Sequence, residues 1–447
     1  MSDTIAAIAT ASGVASIAIV RISGPDAYEI ARRMSAPKEL GAREARLSTI
    51  YDMEGEIIDR GILIYFPSPR SFTGEDIVEF QVHGGMVVAQ RVLESAIHFG
   101  ARLARPGEFS KRAYLNGKID LSEAEAIASL IEARSLDAAR ILLRQMRGEL
   151  GRFVERVREG ILAVRAYSEV SIDYAEEDIP PDILEEIEAG LERLSSDMQR
   201  VLDSSERRRG LIEGFRIAIV GRPNVGKSSL LNALLDYERA IVSDIAGTTR
   251  DTIEEQIRVG THIVRIVDTA GIRDARDEIE RRGVDRSLES IEEADIVIAL
   301  FDSSREYDEV EDGRILRLIE GFEKERLIVA LNKSDLPGRF DTEILAPFPY
   351  IEISAKREFT RLMSELEKRL DSFSSSDELM LVNERQMDAV RRCAKQIEEA
   401  REPLRRGELE IFSYHLAEAA SAIGEISRPY ESEEILDRMF SEFCLGK

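Results

Sequence analysis

The sequence predicts a multidomain protein of α/β and all-α parts, in which one α/β unit is inserted into a helical domain. Three observations predict it. Between about residues 214 and 372, four apolar runs each end in a short motif of small and polar residues, which is how parallel strands hand over to ligand-binding loops. On both sides of that stretch, from 119 to about 210 and again from about 378, apolar residues recur at helical spacing. Ahead of both, residues 1–118 mix period-2 strand runs with helix signals.

Taken in order, Ser16 to Ile22 and Ile77 to Val82 alternate as strands, and Gly85 to Gly100 reads as a helix ended by glycine. On the strand from Ile77, Val78, Phe80 and Val82 share one face, so Glu79 points the other way. This N-terminal domain is expected over 1–118. The first part of the helical domain is expected over 119–213, opening on a capping box of Ser122 and Glu125. Ile127, Leu130, Ile131, Ala138, Ile141 and Leu142 keep helical spacing, Phe153 to Leu162 continue it, and Pro180-Pro181 breaks it. The inserted unit is expected over 214–372, with Asp371 to Asp377 read as a linker. The second helical part, 373–447, ends in an amphipathic helix with Ile435, Leu436, Met439, Phe440 and Phe443 on one side.

The chemistry lies in the inserted unit. Residues 221–228 read GRPNVGKS, of the form G-x-x-x-x-G-K-[ST], between an apolar run from Ile217 to Val220 and a helix start at Ser229. Glycines there let backbone N–H groups close around phosphates, and the helix N-terminus adds a favourable dipole. Lys227 would neutralise the outer phosphates and the Ser228 hydroxyl would reach Mg²⁺. Asp268-Thr269-Ala270-Gly271 ends the run Ile263 to Val267, where an aspartate can hold the Mg²⁺ shell and a glycine N–H can sense the γ-phosphate. Asn332-Lys333-Ser334-Asp335 ends Leu327 to Leu331, and the Asp335 carboxylate would accept two hydrogen bonds that guanine supplies and adenine cannot. Ser354-Ala355-Lys356 ends Tyr350 to Ile353 and can offer a backbone N–H to the guanine oxygen. Gly247-Thr248-Thr249 lies where a switch threonine should close over Mg²⁺. Five motifs in order, each on a strand end or between them, point to a Ras-like P-loop G domain that binds GTP.

Ile272 follows Gly271, where Ras-like enzymes place a glutamine, so another polar group must orient the attacking water. Candidates run from Arg273 to Arg282 and include Glu280. Asn224, inside the phosphate loop, could ligate a cation beside the β and γ phosphates, or merely cap its turn.

Composition bounds the rest. At roughly 150 residues per domain, 447 residues suggest about three. Two distant cysteines, Cys393 and Cys444, argue against a disulfide framework. No uninterrupted apolar run is long enough to span a membrane, so a cytoplasmic location is expected. A net charge of −24 makes a poor generic binder of nucleic acid, and any RNA contacts must be local or come from a partner.

Further stretches carry a resemblance: Arg21-Ile22-Ser23-Gly24-Pro25, Ser71-Phe72-Thr73-Gly74-Glu75-Asp76, His83-Gly84-Gly85, Arg105-Pro106-Gly107-Glu108-Phe109-Ser110 and the terminal Phe443-Cys444-Leu445-Gly446-Lys447. With the nucleotide motifs, they make the chain resemble the MnmE (TrmE) family of tRNA wobble-uridine modification GTPases, among the TrmE-Era-EngA-like GTPases. The resemblance covers about residues 4 to 447. It departs at Ala11-Ser12-Gly13, where members usually carry Pro-Pro-Gly.

The resemblance implies a homodimer whose N-terminal domain binds a tetrahydrofolate derivative and whose G domains pair across K⁺. It implies an FAD-dependent (MnmG-type) partner with which an aminomethyl-type (carboxymethylaminomethyl) group is placed on a tRNA wobble uridine. Carried over residue by residue, GTP would be held by Asn224, Val225, Gly226, Lys227, Ser228 and Ser229. Ser243, Asp244, Ile245, Ala246, Gly247, Thr248 and Thr249 would join them, with the Asp268, Asn332 and Ser354 motifs. K⁺ would take Asn224, Ser243, Ile245 and Thr248; Mg²⁺ would take Ser228 and Thr249; Glu280 would position the water. Arg21, Glu79, Lys118 and Lys447 match folate positions, and Cys444 is the proposed catalytic thiol, whereas Cys393 reads as structural. The competing class is a ribosome-assembly switch, whose members share Gly247-Thr248-Thr249 but typically carry an RNA-binding domain not seen here. A third is a GTP-driven scaffold whose chemistry lies in its partner.

Overall fold

The computed structural model describes residues 3–11, 13–36, 39–173, 181–241, 255–267, 291, 293–374, 378–428, 433–441 and 443. In chain order, the first strands and helices are β1 (Ile5–Ile8), β2 (Ile17–Ser23), α1 (Ala27–Met34), β3 (Ser35–Ala36), β4 (Arg46–Tyr51), β5 (Ile57–Phe66), β6 (Ile77–His83), α2 (Met86–His98) and β7 (Arg102–Leu103). A helical run follows: α3 (Glu108–Leu115), α4 (Leu121–Glu132), α5 (Leu136–Met146), α6 (Glu149–Asp173), α7 (Pro181–Arg207) and α8 (Gly210–Glu213). Then come β8 (Phe215–Val220), α9 (Lys227–Ile241), β9 (Glu255–Val259), β10 (His262–Val267), β11 (Ile296–Asp302), α10 (Glu311–Ile319), β12 (Leu327–Asn332) and β13 (Tyr350–Glu352). The chain closes with α11 (Thr360–Ser374), α12 (Glu384–Arg405), α13 (Leu409–Gly424) and α14 (Glu433–Ser441). Two compact units form: Met1–Glu132 with Leu143–Leu194 and Arg392–Lys447, and Ala133–Leu142 with Ser195–Arg391.

In the first unit a seven-stranded sheet runs β3-β4-β5-β6-β2-β1-β7. It is antiparallel except where β1 meets β7. Val20 and Ile22 of β2 and Val78, Phe80 and Val82 of β6 bury one face against Ile30, Met34, Val92 and Ala96 of α1 and α2. Period-2 alternation therefore sends Arg21 and Glu79 to the other face, where register makes them direct cross-strand partners. The α2 helix ends as expected: Gly100 takes φ +118 and the Ala101 N–H reaches back to the Ala96 carbonyl at 3.0 Å.

The cap of α4 corrects the expected Ser122–Glu125 box. Asp120 accepts from the Glu123 N–H at 2.8 Å, and Glu123 accepts from the Asp120 N–H at 2.9 Å. A carboxylate two residues earlier makes the reciprocal cap, and Ser122 only donates its hydroxyl to Asp120. Further along, Leu162 is 46% exposed, so helical spacing alone overstates the buried stripe of α6. Cys393 is fully buried in α12, and burial pushes its thiol up to about 12, which leaves it unreactive.

The second unit holds a six-stranded sheet, β13-β12-β11-β8-β10-β9, parallel apart from the edge strand β9. Its central strands are near-continuous Ile, Val, Leu and Ala, as a sheet covered on both faces requires. The expected linker is overturned over 371–374: α11 runs through Ser374, Phe373 packs on the core, and the Ser374 hydroxyl donates to Asp137 at 3.1 Å. Serine density misread as a linker is here a helix end with a docked partner.

Candidate functional site

The carboxyl ends of β8, β11, β12 and β13 open onto one edge of the second sheet, and the three described nucleotide motifs lie there. Phe215–Val220 delivers the chain to Gly221, and α9 begins at Lys227, two residues before the expected helix start. A Cβ on Gly221 would lie 2.6 Å from the Leu300 carbonyl, so the loop leaves the sheet through a gap only glycine fits. Val225 is fully buried beneath the loop and anchors it.

Asn332 ties the site together. Its Nδ2 donates to the Val225 carbonyl at 2.9 Å, and its Oδ1 accepts from the Ala355 N–H at 3.0 Å. One buried amide thus joins the phosphate loop to the Ser354-Ala355-Lys356 loop. Gly226, at φ +109, is required by the same contact, because a Cβ there would fall 2.3 Å from Asn332 Nδ2. Lys333, at φ +65, donates its Nζ to the Asn224 carbonyl at 2.9 Å and to Asp302 Oδ2 at 2.6 Å. Burial pushes the Asp302 carboxyl up, but Lys333 and the Ser304 hydroxyl and N–H outweigh it and hold it below the usual carboxylate value. Asp335 accepts the Ser354 hydroxyl at 2.8 Å, and that bond leads the causes that lower its pKa, leaving an ionised, accessible acceptor.

Lys227 donates to the carbonyls of Gly221 and Arg222 at 2.7 and 3.0 Å. Burial pushes its ammonium below the usual lysine value, a cost that a phosphate beside it would offset. Ser228 is exposed in the first turn of α9, where a hydroxyl can face a metal ion. Asn224 sits at φ +61, a conformation asparagine tolerates, and its side chain makes no hydrogen bond among the described residues. A capping role for that side chain is therefore not seen. Ser243, Asp244, Ile245, Ala246, Gly247, Thr248, Thr249, Asp268, Thr269, Ala270, Gly271 and Glu280 lie outside the described residues, as do Cys444 and Lys447.

Sequence reasoning missed Asp302 and a buried pair, Arg222 Nη1 to Asp312 Oδ2 at 2.9 Å, that pins the phosphate loop to α10. Asp302 could have been found, because it ends the apolar run of β11 as Asp268 ends that of β10. The partner of Arg222 lies 90 residues away and leaves no local signal.

In the first unit Arg21, Glu79 and Lys118, the expected ligand residues that are described, gather around one loop. Arg21 meets Glu79 at 2.8 Å, and its guanidinium stands 6.0 Å from the Phe72 ring centroid and 5.7 Å from that of Phe109. Lys118 donates to the Pro69 carbonyl at 3.0 Å, at the other end of the loop that carries Phe72. The loop is fixed by Thr73, whose hydroxyl pairs with Ser23 at 2.8 Å and whose carbonyl accepts from Asn116 at 2.7 Å. Gly107, at φ +65, brings the Arg105-Pro106-Gly107 turn against the Phe440 carbonyl of α14, where a Cβ would be 2.3 Å away.

Comparison with known proteins finds two family matches. Residues 4–118 match the family described as GTP-binding protein TrmE N-terminus, and residues 121–444 match the MnmE helical domain. The tRNA modification GTPase MnmE of Sulfurovum sp. (strain NBC37-1) is 59% identical over 447 residues, covering 100% of this chain and 99% of that protein. The protein of the same description from Aliarcobacter butzleri (strain RM4018) is 55% identical over 446 residues, covering 100% and 99%. That from Wolinella succinogenes is 49% identical over 447 residues, covering 100% and 98%. Among solved structures, the G domain of the T. maritima FeoB iron transporter is 22% identical over 36% of this chain and 99% of that one, with a TM-score of 0.26.

Proposed function

The chain belongs to the MnmE family of tRNA modification GTPases and hydrolyses GTP, and we propose that it couples hydrolysis to installing a carboxymethylaminomethyl-type group on a tRNA wobble uridine. The observation that carries the nucleotide half is Asn332, which locks the phosphate loop and the guanine-side loop into one cradle with Asp335 at its open edge. Lys227 meets the outer phosphates, and Ser228 with Thr249 holds Mg²⁺. Asn224, Ser243, Ile245 and Thr248 hold K⁺. When bound, the two cations supply the positive charge that an arginine finger supplies elsewhere. Glu280 orients the attacking water in place of the glutamine that Ile272 excludes.

The N-terminal sheet takes a tetrahydrofolate derivative as the one-carbon source. Arg21 and Glu79 offer a donor fork and an acceptor side by side above two aromatic rings, which suits a flat heterocycle with polar edges. Lys118 and Lys447 complete the site, and Cys444 serves the modification as nucleophile. Ile17, Leu47 and Ile62, which are 56%, 54% and 38% exposed, favour a homodimer through this domain. An FAD-dependent partner joins the pair on tRNA. Among the described residues, no helix is long and apolar enough to cross a membrane.

One experiment tests both halves. The parent protein should hydrolyse GTP faster in K⁺ than in Na⁺, and a deletion strain carrying it should regain the modified uridine. Cys444→Ser should keep hydrolysis and lose the modification, because a hydroxyl is a far weaker nucleophile near neutral pH than a thiol. Equal rates in the two salts would remove the K⁺ assignment. Normal modification in the Cys444→Ser strain would remove the thiol, and a parent that fails to restore the modification would remove the wobble-uridine reading.

A further inference from the structure

We propose that the groove where the start of α6 meets the end of α13 binds the phosphodiester backbone of the tRNA. This rests on the tRNA-modification reading and adds the surface that meets the nucleic acid.

A cavity of about 810 Å³ opens between these helices, with Arg152, Arg158 and Arg428 on its lining. A second, of about 480 Å³, shares Asp120, Ser427 and Arg428 with it and continues to Lys118. The combined trough therefore leads from α6 to the proposed one-carbon site, which is where a tRNA backbone must run if a base is to meet that ligand.

Small residues make the trough. Gly148 takes φ +75 in the turn between α5 and α6. Gly151 faces Asp120, where a Cβ would lie 2.8 Å from Oδ2. At Gly424 a Cβ would meet nothing within 4 Å, so the missing side chain leaves open space rather than relieving a clash. Arg152 and Arg158 stand six residues apart on α6, about 9 Å along the axis, enough to meet different phosphates.

The charges favour RNA. In a chain of net charge −24, the trough is a local relief from the acidic excess: Arg152, Arg158, Arg428 and Lys118 balance Asp120, Glu123, Glu155 and Glu425 on its lining. Neither Arg152 nor Arg428 meets a carboxylate among the described residues; the Arg152 guanidinium donates only to the Arg147 carbonyl, at 2.8 Å. Arg158 stands 3.9 Å from Glu155, a loose pair. The other acids on the lining are engaged: Glu425 binds Arg392 at 2.6 Å, and Asp120 and Glu123 cap α4 between them. Guanidinium forks beside serine hydroxyls and open glycine backbone are groups that hold phosphate oxygens without reading bases. Such contacts suit an enzyme that must bind the tRNA body while the chemistry occurs on one nucleotide.

The test titrates the full-length protein with an unmodified transcript of a wobble-uridine tRNA, by fluorescence anisotropy over a KCl series. Replacing Arg152 and Arg428 together by alanine should weaken binding about tenfold. It should also lower the slope of log affinity against log salt by about 1.5, since each phosphate contact contributes roughly 0.7–0.9. Lysine at both positions should retain most of that slope, and Glu155→Gln, which frees Arg158, should tighten binding. GTP hydrolysis without RNA should not change. Unaltered affinity and slope in the double alanine variant would overturn the proposal. So would a loss confined to binding of a protein partner, or a parent protein with no affinity for the transcript. Modified uridine restored by the parent in a deletion strain would, in each of these cases, leave the tRNA reading standing and remove the groove alone.

Discussion

The nucleotide cradle and the N-terminal ligand face are built on opposite plans. In the cradle, the functional groups sit on loops at strand ends, and a side chain from one loop holds the backbone of another: buried Asn332 on Val225 and Ala355, and half-buried Lys333 on Asn224. On the N-terminal sheet, Arg21 and Glu79 sit on the strands themselves and are brought together by register alone. A cradle of loops can rearrange as phosphates come and go, because its links are few and specific. A sheet face cannot move without breaking its ladder, so it suits a ligand held in one pose. Rigid sheet and switchable loops thus divide the proposed chemistry between them.

The largest expected effect breaks the link between loops. Gly226→Ala would force a Cβ against Asn332 Nδ2 at a backbone angle that alanine rarely adopts. Asn332→Ala would strand the Val225 carbonyl and the Ala355 N–H, at about 1–3 kcal/mol for each group left unpaired. Either variant should lower GTP affinity by about 10²-fold or more, read by titration with a fluorescent GTP analogue. Tetrahydrofolate binding to the same preparation should not change. If both ligands weakened together, the contrast between the two sites would collapse into general misfolding.

That contrast also governs what the sequence made legible. The cradle was readable because each of its loops is contiguous: strand, motif and helix follow one another from Phe215 to α9, and again at Asn332. What escaped was everything that joins the loops, such as Lys333 on Asp302 and Arg222 on Asp312, because packing across 31 or 90 residues has no periodicity. On the N-terminal sheet, alternation revealed the face on which Glu79 lies. Its pairing with Arg21 across 58 residues was not legible, since register depends on which strands become neighbours; the resemblance only matched both residues to folate positions. The α4 cap was misplaced by two residues because Asp120 and Ser122 both satisfy the pattern, and only geometry chooses between them.

A middle-sized effect sharpens the other side of the comparison. Arg21→Met would leave Glu79, whose side chain is only 13% exposed, without its cation. We expect a loss of about 1–2 kcal/mol in stability, the range for a charge-assisted hydrogen bond discounted for partial exposure. Tetrahydrofolate affinity should fall by about tenfold or more, with GTP binding untouched. The double swap, Arg21→Glu with Glu79→Arg, should recover most of the stability, because a cross-strand ion pair is restored. It should not recover the ligand, which meets a donor where it needs an acceptor. Isothermal titration of the swap decides the matter: full folate affinity there would mean that the pair only braces the sheet.

The smallest effect is a pH dependence read in the second unit, at β11 and β12. Asp302 is almost fully buried, and its carboxyl is held below the usual value because Lys333 and Ser304 outweigh the cost of burial. A carboxyl whose folded value lies below its unfolded value of about 3.9 contributes stability that is complete above that value. The contribution is lost as pH falls through the depressed folded value. Asp312 works in the opposite sense. Burial, only partly offset by the Asp308 N–H and Arg222, holds it above the usual value, so its burden lightens as the medium becomes acidic. The contribution of this pair to the acid limb is therefore a difference between the two, added to that of Asp308 and Asp335, whose carboxyls are also held low, and of Asp295, which burial holds high. Asp302→Asn should flatten that limb below about pH 4 and cost about 1–2 kcal/mol at pH 7. Asp312→Asn should steepen it, since the offsetting group is gone. Hydrogen exchange of the β11 and β12 amides, followed from pH 3 to pH 7 and corrected for intrinsic rates, reads both strands directly. Identical acid limbs in the parent and in Asp302→Asn would show that Lys333 is held by the Asn224 carbonyl alone. The cradle would then be braced by backbone, like the sheet, and not by charge.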